Sequence, residues 1–269
     1  MGRAGESVIK LSSPPTKDFW EIPVVFEDEH LLAISKPARL LSSPDRYDPD
    51  RPNLMKLLHR DIERGAGWAR QRNLTYLMNA HRLDFETSGV LLLAKNKPAL
   101  VTLANTFGSE KLTKIYAALV QGAPEEDNFR IEAKLAPHPT RPGLIRVDPK
   151  RGKRSLTEVS VRESFNRYTL LECRPRTGRT HQIRAHLRYV RLPIVGDAQY
   201  GGRPLLLSKL KRNYRLKEGD VERPLIATTA LHAERLIIPH PIDGKEVTID
   251  AAWPKDLMVA VKYLRRFAP

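Results

Sequence analysis

A polar segment of nine residues, His81 to Gly89, runs directly into the apolar residues 90–94. The apolar run is short and is closed by Lys95, which is typical of a buried strand. Gly89 permits a backbone turn that other residues resist. Asp84 is therefore expected on a loop attached to a rigid element, where reactive groups are often found. The same residues also suit an ordinary turn, because Asp and Ser bond to nearby backbone groups, so this segment alone leaves both interpretations open.

Length, charge and cysteine content narrow the class of protein. A chain of 269 residues can bury a full core without disulfides, and its single cysteine, Cys173, is expected to fill that core. The net charge of +15 favours nucleic acid as the partner over a membrane, since the basic residues are spread along the chain. No signal-like start and no apolar run of membrane length is visible, so we expect a cytoplasmic protein.

Apolar spacing predicts strands and helices over most of the chain. Residues 1–22 are predicted to be an extended, weakly ordered N-terminal extension, and residues 23–269 the folded domain. Strands are predicted at 24–26, 31–34, 90–94, 114–120, 156–161, 168–173, 231–238 and 247–251, and helices at 54–64, 96–107, 180–190 and 257–267. Hairpins predominate over regular β-α alternation. The expected fold is therefore α+β, with a large, mostly antiparallel mixed sheet and flanking helices.

Several common sites are missing from the sequence. It has no phosphate-binding loop of the G-x-x-x-x-G-K-[ST] type, no G-x-G-x-x-G fingerprint, no paired cysteines and no H-E-x-x-H. We therefore expect neither a metal nor another cofactor.

Three stretches of the sequence are rich in basic residues, and two of them are candidate phosphate sites. The loop 150–154 is either a solvated turn or a phosphate contact, and the segment 205–217 is a basic insertion of undetermined role. In the predicted helix from Thr180, His181, Arg184 and Arg188 share one face, while Ile183, Leu187 and Val190 share another. A helix N-terminus with four basic side chains around it suits anions, although a basic face is also common on solvated surfaces.

Five stretches resemble the motifs of one known family and appear in that family's order. They are His81-Arg82-Leu83-Asp84-x-x-Thr87-Ser88-Gly89, Lys114-x-Tyr116, Thr177-Gly178-Arg179-x-His181-Gln182-Ile183-Arg184, Leu192 to Gly201, and Leu231-His232-Ala233-x-x-Leu236 followed by His240-Pro241. The family is the RluA-like RNA pseudouridine synthases, and the likeness spans about residues 24–254. It implies the pseudouridine-synthase fold with a central cleft, and it implies that residues 23–269 are the catalytic domain.

The resemblance also implies roles for individual residues. Asp84 would be the catalytic nucleophile, paired with Arg184, and Tyr116 would stack on the flipped uracil. Contacts to RNA, or shaping of the cleft that receives it, are implied for Arg82, Arg179, His181 and Gln182. The implied reaction converts uridine to pseudouridine in ribosomal or transfer RNA, at a uridine in a loop, without a cofactor. We expect a monomer that does not bind membranes.

Two other functions and one departure from the family stay open at this point. A non-catalytic RNA-binding factor could share the fold, and a hydrolase would need a second acid near Asp84, for which Glu86 is the candidate. Arg39 stands where the family commonly has Gly. We expect this difference to alter a turn far from the catalytic motifs and to affect local RNA contacts.

Overall fold

The computed structural model describes residues 7–45, 48, 51–109, 111–217 and 219–269. The chain divides into two compact units. The first comprises residues 1–113 and 233–252, and the second comprises residues 114–232 and 253–269. In both units, strands that are mostly antiparallel are covered by helices, so the fold is α+β with a large mixed sheet, as predicted.

Strands outnumber helices in the part of the chain that the structure describes. In chain order, the strands are β1 (Val8–Ser13), β2 (Asp18–Glu27), β3 (Leu31–Lys36), β4 (Met78–Asn79), β5 (Ser88–Ala94), β6 (Thr113–Gln121), β7 (Asn128–Glu132), β8 (Leu135–Pro137), β9 (Ile145–Val147), β10 (Leu156–Phe165), β11 (Tyr168–Pro175), β12 (Leu231–Pro239) and β13 (Glu246–Asp250). The helices are α1 (Leu54–Glu63), α2 (Gly67–Arg70), α3 (Lys97–Phe107), α4 (Gln182–Tyr189), α5 (Leu207–Leu210) and α6 (Lys255–Phe267), with a 3-10 turn at Ala198–Tyr200.

In the first unit the strands follow the order β1-β2-β3-β5-β12, with β13 beside β12 and β4 beside β5. All seven residues of β5 are buried, which confirms the core strand predicted after the Asp84 segment. Gly89 lies in β5 with φ 116°, and a Cβ there would come within 2.2 Å of the Ala233 carbonyl oxygen. Glycine is required here by its conformation and by the close approach of β12.

The N-terminal prediction is wrong from Val8 onward. Strand β1 pairs with β2 from Val8↔Pro23 to Ser13↔Asp18, and its residues alternate between exposed and buried. Ile9 and Leu11 are the buried apolar members of this alternation, which was missed because only two apolar residues mark it. The described part of the expected extension is thus paired with the sheet of the first unit.

Helices α1 and α3 of the first unit confirm the helices predicted at 54–64 and 96–107, and each begins with an asparagine cap. The side chain of Asn53 accepts a hydrogen bond from the Lys56 amide at the start of α1. The side chain of Asn96 likewise accepts one from the Ala99 amide at the start of α3, at 3.0 Å. An Asn side chain at this position satisfies an amide that has no partner within the helix.

In the second unit the strands follow the order β6-β11-β10-β7, and β8 pairs separately with β9. Strands β7, β8 and β9 were not predicted because they are short and at most one residue of each is buried. Helix α4 begins at Gln182, two residues later than predicted, and its N-cap residue His181 has φ 51°.

Among the described residues, no helix has the length and apolar character needed to cross a membrane.

Candidate active site

Asp84 lies on the loop between β4 and β5 in the first unit, with a partly exposed side chain between the buried residues Leu83 and Thr87. The Thr87 amide donates a hydrogen bond to the Asp84 carbonyl at 3.2 Å, which closes a turn. The loop therefore agrees with both interpretations that the sequence left open, an ordinary turn and a loop that carries a reactive group. It is a turn by its backbone, and it presents a carboxylate at the end of a buried strand.

The backbone on both sides of Asp84 is held by the segment that follows β3. Ser42 Oγ donates to the Leu83 carbonyl at 2.9 Å and accepts from the Leu83 amide at 3.1 Å. The Arg39 amide donates to the Phe85 carbonyl at 2.7 Å. The expectation that Arg39 lies far from the catalytic motifs is therefore wrong. Arg39 has φ 60°, in the left-handed region, which explains why glycine is favoured at this position.

Lys36 is a fully buried lysine at the end of β3. Its Nζ donates to the carbonyls of Pro37 and Leu40, at 2.7 and 2.8 Å. Burial lowers the pKa of Lys36 to about 7, and the negative charges of Asp84 and Glu86 raise that pKa in part. Lys36 therefore supplies positive charge close enough to Asp84 and Glu86 for their carboxylates to favour its protonated form.

The other two residues of interest in this loop differ in exposure. Arg82 is exposed, as an RNA contact requires. The ring of His81 lies inward, where its Nε2 accepts the Leu92 amide at 3.1 Å and its face stacks on Phe107. His81 thus ties the loop to β5 and α3.

Arg184, in the second unit, forms a buried ion pair. Its Nε and Nη2 donate to the two carboxylate oxygens of Asp197 at 2.7 and 2.8 Å, and Nη2 also donates to Gln199 Oε1 at 2.9 Å. Its guanidinium carbon lies 4.8 Å from the centre of the Tyr200 ring. The solvated-surface interpretation of the basic face of α4 therefore does not hold at Arg184, whose side chain is buried with Asp197. The predicted pairing of Arg184 with Asp84 stays a prediction.

Tyr200 also contacts His181. Its hydroxyl oxygen accepts the Ile145 amide at 2.9 Å and lies 2.9 Å from His181 Nδ1. The Tyr200 hydroxyl therefore joins the His181 ring to the backbone of Ile145. The structure thus brings His181 and Arg184, two of the predicted site residues, onto the same tyrosine.

Gln182 is buried, and its amide is used fully within the second unit. Its Oε1 accepts the Thr177 hydroxyl at 2.6 Å and the Arg179 amide at 3.1 Å. Its Nε2 donates to Leu156 and Thr157 of β10, at 2.9 and 3.0 Å. These bonds contradict a phosphate contact for Gln182 and leave it the other expected role, that of shaping the loop before α4.

Arg179 and the loop 150–154 are neighbours. Arg179 Nε donates to the Arg154 carbonyl at 3.2 Å, and both side chains are exposed. Lys150, Arg151 and Lys153 of this loop are exposed as well. We call these five residues the basic surface. The sequence pattern left the loop and Arg179 unrelated, and the fold brings them together.

Tyr116 lies in β6, opposite Cys173 of β11, and its side chain is partly exposed. A partly exposed tyrosine on a strand is suited to stacking on a base, as the resemblance implies. Two residues earlier, burial lowers the pKa of Lys114. Cys173 is fully buried and burial raises the pKa of its thiol to about 12, which confirms it as a core residue.

Comparison with known proteins assigns the family. Residues 30–189 match the model of the RNA pseudouridylate synthases. A ribosomal large subunit pseudouridine synthase D from Zymomonas mobilis is 33% identical over 261 residues, which cover 95% of this chain and 77% of the relative. A relative of the same name from Xylella fastidiosa is 35% identical over 250 residues, which cover 91% of this chain and 70% of the relative. The chain belongs to the RNA pseudouridylate synthase family.

The chain is therefore an RNA pseudouridine synthase, an isomerase, and the predicted resemblance is confirmed. Solved structures agree in fold. Human RNA pseudouridylate synthase domain containing 4 aligns with a TM-score of 0.67 at 22% identity, over 90% of this chain and 92% of that one. Human RNA pseudouridylate synthase domain containing 1 aligns with a TM-score of 0.60 at 23% identity, over 91% of this chain and 94% of that one.

Four residues near the predicted site residues of this synthase had no role assigned from the sequence. Asp197 and Tyr200 lie in the fourth matching motif, so the sequence did mark their positions without indicating their contacts. Ser42 and Lys36 lie outside the matching motifs. Only their contacts and burial reveal them, because serine and lysine are residue types that are mostly exposed.

Proposed function

We propose that this enzyme converts uridine to pseudouridine in ribosomal RNA of the large subunit, with Asp84 as the catalytic carboxylate and without a cofactor. The choice of ribosomal RNA is supported by the names of the two bacterial relatives. We further propose that it acts as a monomer in the cytoplasm.

The proposed reaction exchanges one glycosidic bond for another. The bond from N1 of uracil to C1′ of ribose breaks, the base rotates, and a bond from C5 to C1′ forms. C5 loses a proton and N1 gains one, so the atoms balance without an oxidant or a consumed water. One carboxylate suffices for such an isomerisation, acting as a nucleophile that holds the reacting group between the two steps.

The observation that carries this proposal is the setting of Asp84. Its carboxylate is partly exposed, whereas the backbone on either side of it is held by Ser42 and Arg39. A reactive group placed in this way loses little conformational freedom when substrate binds. The negative charges of Asp84 and Glu86 raise the pKa of the buried Lys36 against the effect of burial, which shows that a basic group lies near the carboxylate.

Arg184 and Tyr116 are proposed to complete the chemistry. Arg184 would keep Asp84 ionised and oriented, while Asp197 holds the guanidinium from one edge. Tyr116 would stack on the uracil and lie where the C5 proton leaves. Both roles are carried over from the motif resemblance.

Binding of RNA is assigned to cationic groups at the surface. Arg82 would occupy the gap left by the flipped uridine, and the basic surface would contact phosphates. His181 would contact a phosphate or shape the cleft that receives the RNA. Flipping a base costs a few kcal/mol and costs least in loops, so the target uridine is expected in a loop.

Asp84→Asn tests the role of the carboxylate, with Glu86→Gln as the matched control in the same loop. We expect the single-turnover rate of Asp84→Asn to fall by more than about 10²–10⁴-fold, the range typical of losing a general base. Its RNA affinity should stay within a few-fold, and Glu86→Gln should keep most activity. A folded Asp84→Asn enzyme with a comparable rate would refute the assignment.

The RNA class is tested by incubating the enzyme with large-subunit ribosomal RNA and, separately, with transfer RNA, followed by digestion to nucleosides. Pseudouridine in the ribosomal RNA alone is the expected result. Pseudouridine in transfer RNA alone would overturn the proposed substrate. Release of free uracil would instead indicate a hydrolase.

A further inference from the structure

We propose that Ser42 is a positioning residue that determines where the Asp84 carboxylate lies during catalysis. The proposal rests on the catalytic role proposed for Asp84. Ser42 itself is 3% exposed, so it is not expected to contact RNA.

Ser42 holds Leu83, the residue immediately before Asp84, by both of its backbone groups. The hydroxyl accepts the Leu83 amide at 3.1 Å and donates to the Leu83 carbonyl at 2.9 Å. Two hydrogen bonds to one peptide residue restrain its rotation as well as its position. Because the Leu83 carbonyl belongs to the peptide group that leads into Asp84, this restraint acts directly on the Asp84 backbone.

Ser42 is in turn anchored to α1. The Met55 amide donates to the Ser42 carbonyl at 3.3 Å, and the Leu54 amide donates to the Leu41 carbonyl at 2.8 Å. Both donors lie in the first turn of α1, where helix amides lack partners within the helix. The side chain of Asn53 caps the same turn. The hydroxyl of Ser42 thus connects Asp84 to a helix.

The other side of Asp84 is held from the same segment. The Arg39 amide donates to the Phe85 carbonyl at 2.7 Å. Residues 83 and 85 are therefore both attached to residues 39–42, and only Asp84 lies between the two attachment points. Loss of the Ser42 hydroxyl would release one of these points and leave both polar groups of the buried Leu83 without that partner.

The test compares Ser42→Ala with Ser43→Ala, the same change at the next residue. Ser43 contacts Asn79 Oδ1 at 3.4 Å instead of Leu83. We expect Ser42→Ala to lower the single-turnover rate by about 10- to 100-fold, the range produced by displacements of about 1 Å at a reacting group. RNA affinity should change less than about threefold in both variants, and Ser43→Ala should keep the wild-type rate.

The rate constant with enzyme in saturating excess distinguishes positioning from simple destabilisation. Partial unfolding lowers the amount of active enzyme but leaves this rate constant unchanged, whereas a displaced carboxylate lowers it. Ser42→Thr retains the hydroxyl and is expected to recover much of the rate. If Ser42→Ala does not fold, Ser42→Cys replaces it, because a thiol of similar size donates only a weak hydrogen bond.

Equal rate constants for Ser42→Ala and Ser43→Ala would overturn the proposal, as would equal rates for wild type and Ser42→Cys where that variant is the one used. Asp84→Asn is measured in the same assay. An active Asp84→Asn enzyme would refute the proposed function, whereas an inactive one beside a fully active Ser42→Ala would refute only the role of Ser42.

Discussion

The Arg184 guanidinium donates from Nε and Nη2 to the two carboxylate oxygens of Asp197, at 2.7 and 2.8 Å. Both side chains are almost fully buried, at 4% and 1% exposure. A planar guanidinium held by two parallel bonds has its plane fixed by its partner. The orientation of Arg184 therefore depends on a residue thirteen positions later in the chain.

Replacing Asp197 by Asn is expected to destabilise the protein by about 3 kcal/mol, because it removes the charge beside a buried guanidinium. The measurement is urea unfolding at neutral pH. Asp250→Asn is the matched control, since Asp250 pairs with Arg235 at the surface and exposed pairs contribute about 0–1 kcal/mol. Equal losses for the two variants would contradict the importance assigned to the buried pair.

Arg39→Gly is expected to stabilise the protein by about 1 kcal/mol. Arg39 has φ 60°, a conformation that costs a non-glycine residue about 1–2 kcal/mol. The change keeps the amide that donates to Phe85, and the contact of the Arg39 side chain with Glu86 that it removes is long, at 4.0 Å. Arg39→Ala retains the conformational cost and should not be more stable than wild type. The check is the unfolding midpoint of all three proteins in urea, and a gain for Ala equal to that for Gly would exclude strain as the cause.

Stability should rise with pH above 7 because of Lys36. The pKa of Lys36 in the folded protein is about 7, below the ordinary value of 10.5, so between these values the unfolded chain binds the extra proton. The free energy of unfolding then increases by up to about 1.4 kcal/mol per pH unit from this group. Lys36→Met should lack this contribution. Urea unfolding of both proteins from pH 6 to 9.5 measures the contribution of Lys36 to the free energy of unfolding. Parallel pH profiles for the two proteins would refute this contribution.

RNA affinity is expected to fall steeply with salt. If about five phosphates are neutralised, the slope of log affinity against log salt concentration is about −3.5 to −4.5. A triple alanine variant of Lys150, Arg151 and Lys153 should reduce that slope by about 2–3. A matched triple variant of Lys209, Lys211 and Arg212 is expected to reduce it less, because only the first set belongs to the basic surface. Equal reductions would indicate that the segment 205–217 binds RNA as well.

Local signals in the sequence were sufficient for much of the fold. The apolar run from Val90 to Ala94 and the helical spacing within residues 54–64 and 96–107 each involve near neighbours in the sequence. Their structures follow from periodicity and from side-chain to backbone bonds that span three or four residues. Strand β1 was not predicted because its apolar alternation is short and because its structure depends on pairing with β2.

The parts of the site that were mispredicted depend on contacts between distant residues. Helical spacing places Arg184 beside His181 and Arg188, whereas the charge of Asp197, which compensates the burial of Arg184, comes from another segment. Arg39 and Ser42 precede Asp84 by more than forty residues, so neither helical nor strand periodicity relates them to the loop. The chemistry of a side chain can be predicted from its own segment, but the residues that it contacts are determined by the fold.

Cys173 provides this protein with an internal chemical reporter. It is the single cysteine of the chain, it is fully buried, and burial raises the pKa of its thiol to about 12. A maleimide can therefore modify it only after the surrounding structure opens. Since Cys173 lies opposite Tyr116 across β6 and β11, the modification rate measures how often the strand pair that carries Tyr116 comes apart. A cysteine introduced on the surface could meanwhile be labelled in the native protein without replacing Cys173.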